Sequence, residues 1–145
     1  MYFVDRKKIE ETLEYFNTLL KEVSNHKFET FAEKLYLERT VHMAIESILD
    51  VGNMMIDGFI MRDPGSYEDI IDILVDEKVV PEHDADDYKS FIELRKMVVK
   101  EYLQIDHTAL AEALRNNNDL LNSFSDHIRS YLDNELGVAN AFSNE

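Results

Sequence analysis

Apolar residues recur at intervals of three and four along most of the chain, which is the spacing of a helix that buries one face. The clearest series run from Ile9 to Val23, from Leu37 to Phe59 and from Leu110 to Leu132. No segment shows the alternating pattern of a strand, and no internal repeat occurs. The pattern therefore predicts an all-α protein, a bundle of about five helices.

Polar residues that favour helix starts precede each apolar series. Asp5 and Ser66 are the predicted N-caps of the first and third helices, and the other helices are predicted to start near Thr30, at Asp84, and at either Asp106 or Thr108. Gly137 is predicted to end the last helix, because glycine favours the position just after a helix. The chain is therefore expected to form a single domain over residues 1–137, followed by a loose tail over residues 138–145.

An arginine interrupts the apolar face of the predicted fourth helix, in the stretch "RKMVVKEY". At helical spacing this face contains Tyr88, Phe91 or Ile92, Arg95, Val98 or Val99, and Tyr102. A charge on such a surface requires a carboxylate or a phosphate as partner, because an unpaired buried charge is costly. Glu46 and Asp50 of the second helix are candidate partners of Arg95.

The polar residues of the second helix fall on one side of it. Arg39, His42, Glu46, Asp50, Asn53 and Asp57 follow each other at steps of three or four residues. We call this set the polar stripe. One interpretation is a solvated face with internal pairing of Arg39 and Glu46; the other is a face that meets Arg95 across the bundle.

Charge and missing motifs narrow the possible functions. The 145 residues include 15 basic and 30 acidic ones, a net charge of −15 that repels nucleic acid at long range, so any RNA contact must be local. There is no cysteine, hence no thiolate nucleophile. Motifs for zinc proteases, phosphate loops, dinucleotides and EF-hands are absent, and "HDADD" at His83 to Asp87 is interpreted as a helix start. Neither a metal nor a cofactor is predicted.

The beginning of the chain lacks the apolar stretch of a signal peptide or a membrane span. Charged residues already occur at positions 5 to 8 and at positions 10 and 11. We therefore expect a cytoplasmic protein without a membrane partner.

Two stretches of the sequence resemble one family. The run "SYEDIIDILVDEKVVPEHDADDYKSFIELRKMVVKEYLQID", preceded by "LERTVHMAIESILDVGNMMI", is similar to the HepT-like proteins of the HEPN superfamily, the toxin halves of HepT/MntA toxin–antitoxin pairs. The matching positions are Glu38, Arg39, Glu46 and Asp50 in the long helix, Val79 and Val80 in a turn, and Leu94, Arg95 and Tyr102 at the end.

This resemblance implies an up-and-down helical homodimer with a cleft at its interface, in which an arginine and a histidine cut RNA without a metal. It also implies a minimal nucleotidyltransferase antitoxin, of the MntA type, that adds AMP to the motif tyrosine. Arg95, Lys100 and Tyr102 stand at the catalytic positions of the motif, Tyr102 at the modified one, and the polar stripe would support them.

The sequence departs from the family motif at its histidine. Lys100 stands in that position, and Lys96 stands where an asparagine is common. An ordinary lysine is protonated at pH 7, so it binds phosphate but is a poor general base. His42 or His107 could supply an imidazole instead. In a continuous helix Arg95 and Tyr102 would share a face, with Lys100 rotated by about 140° from Arg95.

Three functions are therefore open at this point. The first is a HepT-like ribonuclease toxin. The second is a non-catalytic HEPN module that binds nucleotide or a partner nucleotidyltransferase through Arg95, Lys96, Lys100 and Tyr102. The third is a dimeric helical interaction protein in which Arg95 only closes a salt bridge.

Overall fold

The computed structural model describes the backbone of residues 3–143 and the side chains of residues 3–136. Within that range the chain forms helices and connections, with no strand. The helices are α1 (Arg6–Val23), α2 (Phe31–Gly58), α3 (Tyr67–Asp76), α4 (Ala85–Glu93), α5 (Arg95–Lys100), α6 (His107–Asn116) and α7 (Asn118–Ser143), with a short 3₁₀ turn at Glu82–Asp84. The predicted all-α bundle is confirmed.

Two of the five predicted helices are divided by a break of one residue. Leu94 separates α4 from α5, and its backbone N–H bonds back only three residues, to Phe91. Asn117 separates α6 from α7, and its side-chain amide donates to the carbonyl of Ala113. The backbone N–H of Asn117 donates to the same carbonyl, and asparagine favours such helix ends, so this break occurs without a glycine or proline.

Most predicted helix starts are confirmed by their capping bonds. The side chains of Asp5, Ser66 and Asp106 each accept a hydrogen bond from the backbone N–H three residues later. Thr30 and Glu33 form a reciprocal capping box at the start of α2. Asp84 precedes α4 as predicted, but its side chain makes no capping bond.

The predicted C-cap at Gly137 is wrong, because α7 continues to Ser143. A glycine inside a helix costs about 1 kcal/mol relative to alanine, and the alanines that follow favour helix. The domain boundary at residue 137 stays a prediction, and residues 144–145 of the expected tail lie outside the described residues.

The long helix α2 lies at the centre and contacts α1, α3, α5 and α6. Phe124 of α7 packs edge-on against Phe16 of α1 and Tyr88 of α4, with ring centroids 5.7 and 5.8 Å away. The buried Tyr88 hydroxyl donates to the carbonyl of Leu120. These contacts fix α4, and with it the start of α5, against the rest of the bundle. Among the described residues, no helix combines the length and the apolar composition that a membrane span requires.

Candidate functional site

Arg95 is the first residue of α5 and points towards α2, where Glu46 lies. Its Nε donates a hydrogen bond of 2.6 Å to Oε1 of Glu46, and both side chains are about one quarter exposed. This bond raises the pKa of the Arg95 guanidinium, against the opposing effect of partial burial. The prediction that Arg95 pairs with a carboxylate of the second helix is confirmed for Glu46, and Asp50 is not its partner.

The ring of Tyr67 supports the guanidinium of Arg95 from one face. Tyr67 is the first residue of α3, and its ring centroid lies 4.9 Å from Cζ of Arg95, which is a cation–π arrangement. Within the described part of the chain, Nη1 and Nη2 of Arg95 make no hydrogen bond. Glu46 therefore holds the arginine at Nε, and the Tyr67 ring holds one face of the guanidinium. Among the described residues, Nη1 and Nη2, the two nitrogens that can bind a phosphate bidentately, are not used by the protein.

Glu46 also lies close to a histidine of its own helix. Nε2 of His42 is 3.4 Å from Oε1 of Glu46, the same oxygen that accepts from Arg95. Because both nitrogens are near one atom, Nε of Arg95 and Nε2 of His42 lie within 6.0 Å of each other. The carboxylate thus brings a guanidinium and an imidazole together on one side of α2.

A second histidine pairs with α2 from another helix. His107, the first residue of α6, places its Nε2 2.7 Å from Oε2 of Glu38. Glu38 precedes His42 by four residues and Glu46 by eight, so these three side chains lie in a row along α2. The row of carboxylate, imidazole and carboxylate faces α5 and the beginning of α6.

The rest of the polar stripe does not join this row. Arg39, Asp50, Asn53 and Asp57 are exposed. The pKa of the Asp50 carboxyl is nevertheless raised, by partial desolvation first and then by the negative charge of Glu46. The stripe therefore combines a solvated part with a part, at His42 and Glu46, that meets Arg95.

Tyr102 lies elsewhere than predicted. Helix α5 ends at Lys100, and Glu101 caps it by donating its backbone N–H to the carbonyls of Lys96 and Met97. The prediction that Arg95 and Tyr102 share one helix face is wrong, because the helix has only six residues and Tyr102 falls in the turn behind it. Tyr102 is 65% exposed, which leaves its hydroxyl accessible to solvent.

Lys100, the last residue of α5, is also exposed. Among the described residues, no hydrogen bond or ion pair connects Lys100 or Tyr102 with Arg95. The structure thus brings together Arg95, Glu46 and His42. The other two motif positions, Lys100 and Tyr102, are exposed and, within the described part of the chain, form no hydrogen bond or ion pair with this group.

Sequence reasoning missed Tyr67 and the contact between Glu38 and His107. Tyr67 was hidden inside the helix start "GSYED", and no local pattern connects it with a residue 28 positions later. The spacing of four residues from Glu38 to His42 to Glu46 was the available signal for the row on α2.

The acidic residues at the start of α4 are not arranged as a metal site. His83 is largely exposed, and its Nε2 lies 3.5 Å from Oδ1 of Asp84 alone. Across the described residues, no group of three or more histidine, aspartate and glutamate side chains is arranged to hold a metal ion.

The fold and this site define a class, an all-helical protein with an arginine-centred polar site between its long helix and a short one. The model of one family, Ribonuclease HepT-like, matches residues 9–128, and the chain belongs to this family. It is 50% identical over 143 residues to a Bacillus subtilis (strain 168) protein named "Putative RNase YutE", covering 98% of this chain and 99% of that one.

Two solved structures share the fold. One is YutE from Bacillus subtilis, described as a cytosolic protein of unknown function, with a TM-score of 0.92, 50% identity, and coverage of 94% of this chain and 96% of that one. The other is a toxin–antitoxin crystal structure with AMP-PNP, with a TM-score of 0.73, 15% identity, and coverage of 83% and 96%. The second likeness is one of fold alone.

Proposed function

We propose that this protein is the ribonuclease toxin of a toxin–antitoxin pair and that it cuts RNA without a metal ion. Membership in the HepT-like family supports the reaction class. The observation that carries the proposal is the geometry of Arg95. Its Nε is bound by Glu46 and its guanidinium lies over the Tyr67 ring, while Nη1 and Nη2 make no hydrogen bond among the described residues. An arginine that only closed a salt bridge would have no need for this arrangement.

Such an arginine suits the transition state of RNA cleavage. When the ribose 2′-hydroxyl attacks phosphorus, negative charge grows on the phosphate oxygens, and a fixed guanidinium stabilises that charge. Glu46 and Tyr67 fix the guanidinium in advance, so little rotamer freedom is lost when RNA binds.

The charge distribution is consistent with a local contact to RNA. Helix α5 carries Arg95, Lys96 and Lys100 and no acidic residue, in a chain whose net charge is −15. Because long-range attraction to RNA is absent, we expect weak binding that depends on this short basic helix.

Cleavage of single-stranded RNA in the presence of a chelator tests the proposal. The wild-type protein should release fragments that end in a 2′,3′-cyclic phosphate and begin with a 5′-hydroxyl. Arg95→Ala should lower the rate at least 100-fold, the loss typical for one oxyanion-stabilising donor. If the folded wild-type protein leaves every RNA intact, the proposal fails.

We further propose that a minimal nucleotidyltransferase, the antitoxin, silences the protein by adding AMP to Tyr102. The exposure of Tyr102 in the turn after α5 supports this, since a transferase must reach the hydroxyl. The fold neighbour crystallised as a toxin–antitoxin complex with AMP-PNP, an ATP analogue, which supports the same class of partner.

Intact-mass measurement after incubation with a partner transferase and ATP tests this regulation. The wild-type chain and the control Tyr15→Phe should gain one adenylyl group, and Tyr102→Phe should gain none. Tyr15 is a suitable control because it is also exposed, on α1. An adenylyl group on another residue, or on none, contradicts the proposal.

The working form is proposed to be a homodimer. Phe31 and Leu35 lie one turn apart on α2 and are 79% and 47% exposed, and Leu103 is 89% exposed. Such apolar surface fits contact with a second copy. Sedimentation at assay concentrations should give twice the mass of the chain, and Leu103→Asp should shift it towards the monomer; a monomeric wild-type protein that cleaves RNA contradicts the dimer.

A second function is favoured by Lys100 at the motif histidine position. A HEPN module without catalysis would bind nucleotide or the partner transferase through α5 and Tyr102. In that case binding of AMP or RNA would be lost in Arg95→Ala, while no RNA would be cut by the wild-type protein.

A further inference from the structure

The family resemblance implies an imidazole at the motif position, where this chain has Lys100. We propose that His42, from the neighbouring helix α2, is the catalytic residue that takes the proton from the ribose 2′-hydroxyl. This inference rests on the proposed ribonuclease function. It is carried by the Glu46 carboxylate, one oxygen of which contacts both Arg95 and His42.

The positions of the two groups suit one phosphodiester. Nε of Arg95 and Nε2 of His42 lie within 6.0 Å of each other, and both side chains are about one quarter exposed. These two nitrogens are held by Glu46, and the acting atoms belong to the same two groups: Nη1 and Nη2 of the guanidinium can bind the phosphate oxygens while Nδ1 of the imidazole reaches the adjacent ribose, with hydrogen bonds of about 2.8 Å. RNA approaches through Nη1 and Nη2 of Arg95, so the bond from Nε to Glu46 can stay in place.

Glu46 also selects the useful form of the imidazole. The negative charge of the Glu46 carboxylate lies 3.4 Å from Nε2, so it electrostatically favours the tautomer with its proton on that nitrogen. The lone pair then lies on Nδ1, which is the base. A carboxylate that orients a histidine in this way is the usual support of a catalytic imidazole.

The step balances as a transfer within the RNA chain. Nδ1 of His42 takes the proton of the 2′-hydroxyl, and the 2′ oxygen forms a bond to phosphorus while the bond from phosphorus to the 5′ oxygen breaks. The leaving 5′ oxygen takes a proton from water, and the imidazolium returns its proton to solvent. The products are a 2′,3′-cyclic phosphate and a 5′-hydroxyl, and no electrons are exchanged with another reactant.

The other histidines have different surroundings. His107 is bound to Glu38 at 2.7 Å, and Glu38 makes no contact with Arg95 among the described hydrogen bonds and ion pairs. His26 packs against Tyr36 in a tilted arrangement, with ring centroids 4.6 Å apart. The remaining two, His83 and His127, lie by the turn before α4 and in a pocket beside Pro81. Within the described structure His42 is thus the histidine that shares a partner with Arg95.

The test compares His42→Gln with His107→Gln in single-turnover cleavage. The two histidines form a matched pair, because each contacts a glutamate of α2 and the side chains are 28% and 25% exposed. Glutamine keeps an N–H donor for the glutamate but cannot carry a proton. We expect His42→Gln to cleave at least 100-fold more slowly with RNA affinity unchanged within threefold, and His107→Gln to stay within threefold of wild type.

A second readout separates proton transfer from structural support. Imidazole added to His42→Ala should restore part of the cleavage, and should restore none in Arg95→Ala. Wild-type cleavage that is lost in Arg95→Ala and kept in His42→Gln overturns the inference and leaves the ribonuclease function standing. Loss in His107→Gln alone also overturns it. Absence of cleavage by the folded wild-type protein overturns the proposed function, and this inference with it.

Discussion

Among the described residues, two arginine–glutamate pairs join helices, and they differ in how the guanidinium is used. Arg129 of α7 binds Glu10 of α1 through Nε and Nη2, with three hydrogen bonds of 3.0 to 3.1 Å. Arg95 binds Glu46 through Nε alone, at 2.6 Å. The exposed fractions of the four side chains are similar, between 25% and 33%. Residue type and burial therefore do not distinguish a structural pair from a candidate site.

The difference lies in which nitrogens are occupied. At Arg129 the carboxylate uses a whole edge of the guanidinium, which suits a fixed connection between α1 and α7. At Arg95 a single bond and the ring of Tyr67 hold the group, while the nitrogens that bind phosphate are unused among the described residues. An arginine that is fixed by the protein but keeps Nη1 and Nη2 unused can bind a ligand through these two nitrogens.

Replacing arginine by lysine, which keeps the positive charge, should still have a large effect on cleavage at Arg95 and little effect at Arg129. Arg95→Lys should slow RNA cleavage 10-fold or more, because one ammonium group cannot hold Glu46 and bind phosphate bidentately. Arg129→Lys should leave the cleavage rate within twofold. Cleavage rates of the two variants on the same RNA check this, and equal losses would mean that both arginines act through stability.

For stability, replacing the two arginines by alanine should have the opposite order of effects, with the larger cost at Arg129. Arg129→Ala should lower the free energy of unfolding by about 1 kcal/mol, because it removes several charge-assisted bonds between α1 and α7. Arg95→Ala should cost less, since it removes one hydrogen bond to Glu46 and the contact with the Tyr67 ring instead of three hydrogen bonds. Urea unfolding of both variants measures the difference, and a larger cost at Arg95 would make that residue the structural one.

Replacing the glutamate of each pair by the neutral glutamine should change RNA affinity only at the Arg95–Glu46 pair. Glu46→Gln keeps an amide oxygen that can accept from Nε of Arg95 and removes a negative charge close to the bound phosphate, so the affinity for an uncleavable 2′-O-methyl RNA should rise about two- to fivefold. Glu10→Gln, the matched control, should leave it unchanged. Weaker binding by Glu46→Gln would show that the charge of Glu46 is needed to hold Arg95 in place.

The smallest effect concerns a third arginine, Arg62, whose Nη1 and Nη2 both bind Asp69. The Arg62 hydrogen bond, helped by the N–H of Gly65, lowers the pKa of Asp69 from its ordinary 3.8 to about 2. Because the pKa is lower in the folded state, the ionised carboxylate stabilises the fold above about pH 3.8, and this contribution disappears as the pH falls towards 2.

The stability difference between wild type and Asp69→Asn should accordingly be constant near neutral pH and shrink between pH 3.8 and 2. Unfolding curves at several pH values give this difference. Asp76→Asn is the control, because Asp76 lies 3.5 Å from the same arginine and should show a smaller change. A stability difference that grows on acidification would contradict the role of the Arg62 bond.

The helices were predictable because their signals are local. Apolar spacing and the caps at Asp5, Thr30, Ser66 and Asp106 depend on residues within one turn of each other. The pairing of Arg95 with Glu46 was predictable for a different reason. A charge on an apolar face needs a partner, and α2 offered few carboxylates on one side.

The features that sequence reasoning missed depend on distant contacts or on small local preferences. The support of Arg95 by Tyr67 requires α3 and α5 to be in place, and no spacing rule connects them. The early end of α5 at Lys100 moved Tyr102 from the predicted helix face into a turn, although no glycine or proline announces it. A helix of six residues is short enough for the following turn to decide where it ends.

The most direct test is a side-by-side measurement of Arg95→Ala and Arg129→Ala in metal-independent RNA cleavage, at one concentration and with folding checked by circular dichroism. We expect a loss of at least 100-fold for Arg95→Ala and a change of less than threefold for Arg129→Ala. Equal rates for the two folded variants would contradict the claim that Arg95 is the phosphate-binding residue.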